Sequence, residues 1–423
     1  MKRYSEYKDS GVKWIGEIPG HWECTRIKFI ANLYGRIGFR GYNSKDLNKD
    51  GIGAITLSPS NMKDMMMDYT NVTYLSWEKY NESPEIMIQQ GDILFVKTGS
   101  SYGKSCYVDN LPQEATINPQ ILRINPLING RFLCYYFNSS LARTFTECGV
   151  VGGTIPTISQ EKVGNFIALN PPLPEQEAIV TYLDSKVDKI DEYISIAEKK
   201  IAALEELKQT IIAEAVTRGI HKDVPMKDSG VKWIGMIPEH WDCCKLKYFT
   251  RIKSGDALTN NALSDTGKYK VYGGGDFMGF YDKYNVDANT ILIGRVGARC
   301  GCVTITEEKA WATDNALILI HFNINTKFLT YLLVAANLNS LSISNAQPLI
   351  TGSKVKDSFI PIPPLPEQQE IVSYLDSKVA NINQLCQAER SQIEKLKEYK
   401  QRLISDVVTG KVKVTNDSLN GRV

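Results

Sequence analysis

Gly99-Ser100-Ser101-Tyr102-Gly103-Lys104-Ser105 carries the residue types that cradle a phosphate: glycines that let backbone amides close in, a lysine for a charged oxygen, and a hydroxyl for a bound metal. Spacing argues against nucleotide chemistry. The run is one residue short of GxxxxGK[ST] and leads into the strand-like Cys106-Tyr107-Val108, where a phosphate site needs a helix N-terminus. The repeated His21 and His240 have the type for general base catalysis, but each lies among Trp, Gly and Pro with no neighbouring nucleophile, so a packing or helix-docking role is favoured.

Asn170-Pro171-Pro172-Leu173 has the asparagine and prolines of the NPPY-type tetrapeptide of amino-methyltransferases, but leucine stands where an aromatic ring must stack on a flipped base. The segment opens a long helix, and no glycine-rich cofactor loop follows a strand elsewhere. No catalytic residue is assigned. Cys300 and Cys302 are too close for ordinary zinc-ligand spacing and have no second pair, so no metal site is assigned either.

Three stretches suit DNA contact. Gly35-Arg36-Ile37-Gly38-Phe39-Arg40-Gly41-Tyr42-Asn43 mixes arginines with aromatics, as a loop against a phosphate backbone would. Lys97 through Lys104, with Ser100, Ser101 and Tyr102, follows a predicted strand, and Gly294-Arg295-Val296-Gly297-Ala298-Arg299 is its counterpart further on. Arginine and lysine here suit guanine edges or phosphates. Each charge alone reads equally as a solvated turn residue; the matching positions favour the second and third stretches.

These stretches sit inside a tandem duplication. Lys8 to Gly16, Ile18-Pro19 and His21-Trp22 return at Lys227 to Gly235, Ile237-Pro238 and His240-Trp241; Pro172 to Gln176 and Tyr182 to Val187 return at Pro364 to Gln368 and Tyr374 to Val379. The offsets are 219 and 192, so the first copy is 27 residues longer between its markers. Near-identical ends flank dissimilar middles. The middles read as mixed α/β (α+β). In the first, strands are predicted at 54–57, 92–97, 105–108 and 121–124, with an apolar helix near Phe132–Phe145; in the second, strands at 290–293, 302–305 and 316–320, with a helix near Lys327–Ala336.

From Pro174 the pattern is helical until Gly219. Leu183, Val187, Ile190, Ile194, Ala197, Ile201, Leu204 and Ile211 recur at spacings of three and four, a coiled-coil seam. Leu375, Val379, Ile382, Ile393, Leu396 and Leu403 repeat it before Gly410, with Cys386 and Glu389 as weaker members expected to loosen it locally. A helix from Pro174 to Thr217 would be roughly 60 Å long. Paired antiparallel, two such helices would make a rod with a variable domain at each end, suited to a bipartite DNA site with readers about one helical turn, ~34 Å, or more apart.

The KDSGVKWIG…IP.HW segment and the PPLPEQ…YLDSK helix start, each present twice in order, resemble the conserved regions of type I restriction-modification specificity subunits over roughly Tyr7 to Gly410. The resemblance implies target-recognition domains at 1–172 and 220–363, spacer helices at 173–219 and 364–412, and a tail at 413–423. It implies double-stranded DNA, two methyltransferase subunits and restriction subunits as partners, with S-adenosylmethionine, ATP and magnesium held by those partners and no cofactor on this chain. Trp14, Trp22, Trp233 and Trp241 are expected to anchor the recognition domains to the rod.

Composition agrees with an ordinary globular chain: 423 residues, 43% hydrophobic, net charge +2, so DNA binding must come from local patches. Nine cysteines without a CxxC pair imply a reducing, cytoplasmic compartment, and neither a signal peptide nor a membrane span is predicted. A coiled-coil scaffold with two protein-binding heads is the competing reading.

Overall fold

The computed structural model describes residues 3–38, 41–48, 50–150, 155–342 and 348–415. It divides into two compact units, Met1–Ile196 with Ser391–Val423, and Ala197–Arg390.

The first unit is built on an antiparallel sheet in the order Ser105–Tyr107, Ile93–Val96, Ile121–Pro126, Ala31–Gly35. Its inner strand, Ile93-Leu94-Phe95-Val96, is apolar throughout because both faces are covered. Ile93 and Phe95 point into a core shared with the helix Gly130–Phe137, while Leu94 and Val96 point into a second core. A second sheet, Ala115–Ile117, Ala54–Leu57, Thr73–Leu75 and Leu47–Asn48, supplies that second core, its first two strands parallel. The single helix expected near Phe132–Phe145 is two, Gly130–Phe137 and Ser140–Gly149, because the Ser139 hydroxyl accepts from the Ala142 amide and caps a new start.

The second unit repeats the plan. Thr250–Ser254, Ala316–His321, Ile291–Gly294 and Val303–Ile305 form the same four-stranded order, and Tyr269–Tyr272 pairs parallel with Ala310–Ala312. Here too the inner strand alternates, Ile291 and Ile293 toward one core and Leu292 toward another. The helix Thr326–Ala335 starts where the Asn325 side chain accepts from the Lys327 and Phe328 amides, as Asn129 caps its counterpart.

Two long helices, Leu173–Arg218 and Leu365–Val408, start within a residue of the expected 173 and 364; the first ends one residue before the expected 219, and the second stops four residues short of the expected 412, ahead of Gly410. Each contributes to both units. In the first unit Leu183, Val187 and Ile190 are buried with Leu403, and Ile194 and Leu396 pack on them half-buried; Ile393 is also buried. In the second, Leu375, Ile382 and Cys386 are buried, and Ile201, Leu204 and Val379 are half-buried. Lys200 pairs with Glu389 and Lys208 with Asn383, so one helix index rises as the other falls and the pairing is antiparallel. Lys400 meets Asp191 at 2.6 Å in the first unit. The local loosening expected at Cys386 and Glu389 is not found: the thiol is 1% exposed and the carboxylate is matched by an ammonium from the facing helix.

The duplicated motifs tie each middle to its long helix. The Gln176 side chain is buried, accepting from the Asn129 amide at 3.0 Å and donating to the Pro171 carbonyl at 2.8 Å; Gln368 does the same with Asn325 and Pro363 at 2.8 and 2.9 Å. About two turns on, Asp184 accepts from the Tyr135 hydroxyl at 2.6 Å and Asp376 from Tyr331 at 2.8 Å. Glu175 takes His21 at 2.8 Å and the Trp22 indole at 3.0 Å, and Glu367 takes His240 at 2.8 Å. The histidines thus dock helix starts. Only two of the four repeated tryptophans act as anchors: Trp22 and Trp241 are fully buried, whereas Trp14 and Trp233 are 62% and 38% exposed. Gly410, at φ +73°, closes the second helix so tightly against Pro19 that an added Cβ would fall 2.5 Å from its ring.

Candidate nucleic-acid interface

The loop after each inner strand has one geometry in both units. In the first, the Lys97 amide donates to the Gln120 carbonyl, the Ile158 amide to Lys97, Gly99 to Pro156, and Gly103 back to Val96, at 2.8 to 3.0 Å. In the second, Arg295 donates to Asn315, Ile350 to Arg295, Gly297 to Pro348, and Gly301 to Gly294, at 2.8 to 3.1 Å. The register makes Lys97 equivalent to Arg295, Ser101 to Arg299, and Lys104 to Cys302. Each loop is pinned at both ends, which presents its tip on a rigid support.

At equal backbone geometry the side chains differ. Lys97 is half-buried, and burial pushes its ammonium below the ordinary lysine value. Ser100 is exposed; Ser101 and Tyr102 are half-buried and line a cleft of about 390 Å³ with Lys104, Arg143, Glu147 and Gln401. Lys104 donates its ammonium to the Met62 carbonyl, which clips the loop to the turn after strand Ala54–Leu57. In the second unit Arg295 reaches Ser254 at 3.4 Å and its Nε is buried without a hydrogen-bond partner. Arg299 is exposed and paired with Asp276 at 2.6 Å, and that carboxylate, with Cys302 beside it, raises its already high pKa.

The stretch beginning at Gly35 sits differently. Arg36 is buried, donating to the Ile117 carbonyl at 3.2 Å and to Thr116 Oγ1 at 3.1 Å, with its guanidinium over the half-buried Tyr42 ring at 5.1 Å. It joins the two sheets of the first unit. Arg40 lies outside the described residues.

Sequence reasoning missed three features. Arg123 pairs with fully buried Asp92 at 2.6 Å and also donates to the Glu85 carbonyl and Gln89, holding the edge of the inner strand. An alternating pattern hides such a pair, since Arg123 reads as one polar residue in an apolar strand. Asp276 gave no signal in a glycine-rich loop. The helix-docking Gln and Asp residues did give one: they recur in both copies.

Among the described residues, no cluster of three or more His, Cys, Asp or Glu side chains is arranged to hold a metal ion, and no helix is long and apolar enough to cross a membrane. Cys300 donates its thiol to the Arg295 carbonyl at 3.3 Å.

Fold and loops together define a duplicated mixed α/β domain that carries a rigid polar loop at matching places and is fastened to long paired helices. The family profile described as the type I restriction modification DNA specificity domain matches residues 21–206 and 238–395, and the chain belongs to that family. It is 24% identical to the type I restriction enzyme MjaVIII specificity subunit of Methanocaldococcus jannaschii, over 97% of this chain and 98% of that one. It is 23% identical to the StySPI specificity subunit of Salmonella potsdam, over 86% and 83%. A solved structure, from a study of complex assembly and conformational transition of the type I R-M system, shares the fold with a TM-score of 0.68 at 17% identity, covering 93% of this chain and 99% of that one.

Proposed function

We propose that this chain reads a bipartite, asymmetric DNA site for a type I restriction-modification complex and does no chemistry itself. Residues 1–172 and 220–363 act as target-recognition domains, 173–219 and 364–412 as spacer helices, and 413–423 as a tail. Two methyltransferase subunits and restriction subunits bind to it in the cytoplasm. Those partners hold S-adenosylmethionine, ATP and magnesium, and adenine flipping and methylation are theirs.

One observation supports this reading above the others: the same pinned loop occurs in both units with different side chains at equivalent positions. Equal geometry suits a common way of approaching DNA, and unequal side chains suit two different half-sites. A scaffold with two protein-binding heads would not need that combination.

Binding of the full chain, alone and with a type I methyltransferase subunit, to a random-sequence duplex pool separates the two readings. Phosphate contacts release counterions, so affinity should fall steeply and log-linearly with salt, by about 10³-fold or more between 50 and 200 mM if six or more phosphates are met. Absence of DNA binding at low salt would move the assignment to the scaffold.

A further inference from the structure

In the second unit the recognition loop is packed against another turn, Gly273-Gly274-Gly275-Asp276, which follows strand Tyr269–Tyr272. The approach is close enough to require glycine: a Cβ on Gly294 would lie 2.0 Å from the Gly274 carbonyl oxygen. Thr304 Oγ1 donates to the Gly275 carbonyl at 2.9 Å. The turn is itself closed by the Gly273 amide donating to the Asp276 carbonyl at 3.0 Å. Asp276 is thereby fixed relative to Arg299, and its carboxylate takes Arg299 Nε at 2.6 Å while both side chains stay more than half exposed.

As a stabilising feature this pair explains little, since exposed ion pairs contribute about 0–1 kcal/mol. As a DNA-facing charge Asp276 would repel phosphates unless its charge served to orient a cation. A carboxylate on Nε, with the Cys302 side chain also against the guanidinium, fixes its plane, and a guanidinium so held can turn its fork to two acceptors, the geometry of guanine O6 and N7 in the major groove. The first unit brings the same two loops together by other means, through Lys104 on the Met62 carbonyl, and has Ser101 where Arg299 stands. The device therefore belongs to one half-site only.

We infer that Arg299 reads a guanine in the half-site of the second unit and that Asp276 is its positioning residue. The inference rests on the DNA-reading function proposed above.

The test is the consensus selected from a random-sequence duplex pool by the full chain with a type I methyltransferase subunit. Arg299→Ala and Asp276→Ala should both relax one and the same guanine position of one half-site, lowering its preference about 10- to 100-fold, with the other half-site unchanged. Arg299→Lys, which keeps the charge and loses the fork, should keep overall affinity within a few-fold and still lose that preference, while Asp276→Glu should restore part of it. Uniform weakening at every position, with no base preference changed, would make Arg299 a phosphate contact and overturn the inference. So would an unchanged consensus in all variants. If the unsubstituted chain selects no two-part consensus, the DNA-reading function fails and the inference falls with it.

Discussion

Single residues in this chain are easily misread from type alone. Lys104 has the setting of a phosphate-binding lysine, yet its ammonium is committed to the Met62 carbonyl. Arg123, which looks incidental in its strand, holds the fully buried Asp92 carboxylate at the start of the inner strand, and Asn125 donates to the same carboxylate at 3.1 Å. Replacing Arg123 with Leu would leave Asp92 charged and fully buried, and the expected cost is about 3–5 kcal/mol, read as a lower urea midpoint of the full chain. A loss under about 1 kcal/mol would show that water or another donor reaches Asp92. The buried Gln176 makes a complementary case. Gln176→Ala leaves the Asn129 amide and the Pro171 carbonyl unpaired, and each should cost about 1–3 kcal/mol in the same measurement.

Secondary-structure elements were legible where a period runs long. The two helices follow from the spacing of Leu183, Val187, Ile190 and their repeats, and from proline and glycine at their ends. The inner strands, apolar on both faces, were equally plain. What escaped was set by partners distant in sequence: strand Ala115–Ile117 exists because it lies parallel to Ala54–Leu57, and strand Ala31–Gly35, which ends in Tyr34-Gly35, is held by pairing with Ile121–Pro126. The equivalence of the two pinned loops was partly visible in their glycines and cations. Their fastening to residues 156–158 and 348–350 was not, because it rests on backbone hydrogen bonds that no side-chain pattern records. The helices also carry a prediction of their own. If their length sets the gap between half-sites, adding one heptad to each, about 10 Å of helix, should widen the gap by about three base pairs of 3.4 Å. An unchanged gap in the selected consensus would remove the helices as the ruler.

At the scale of the molecule, duplication is the informative fact. A net charge of +2 gives no hint of a DNA-binding protein, and the repeated ends alone would suit any two-headed assembly. Meaning comes from contrast: shared hardware at the helix starts, where Gln368 and Asp376 repeat the contacts of Gln176 and Asp184 and Glu367 repeats the histidine contact of Glu175, beside pinned loops that share a backbone and differ in side chains. A protein that must keep its assembly constant while changing what it reads would be divided in this way. The measurement that tests this most directly is a genome-wide map of N6-methyladenine in cells expressing the chain with a type I methyltransferase subunit, before and after residues 25–165 are replaced by the corresponding segment of another family member. The expected result is a two-part asymmetric motif with a fixed gap, of which only one half changes after the exchange; a motif that is undivided, or whose halves both change or both persist, would contradict the account.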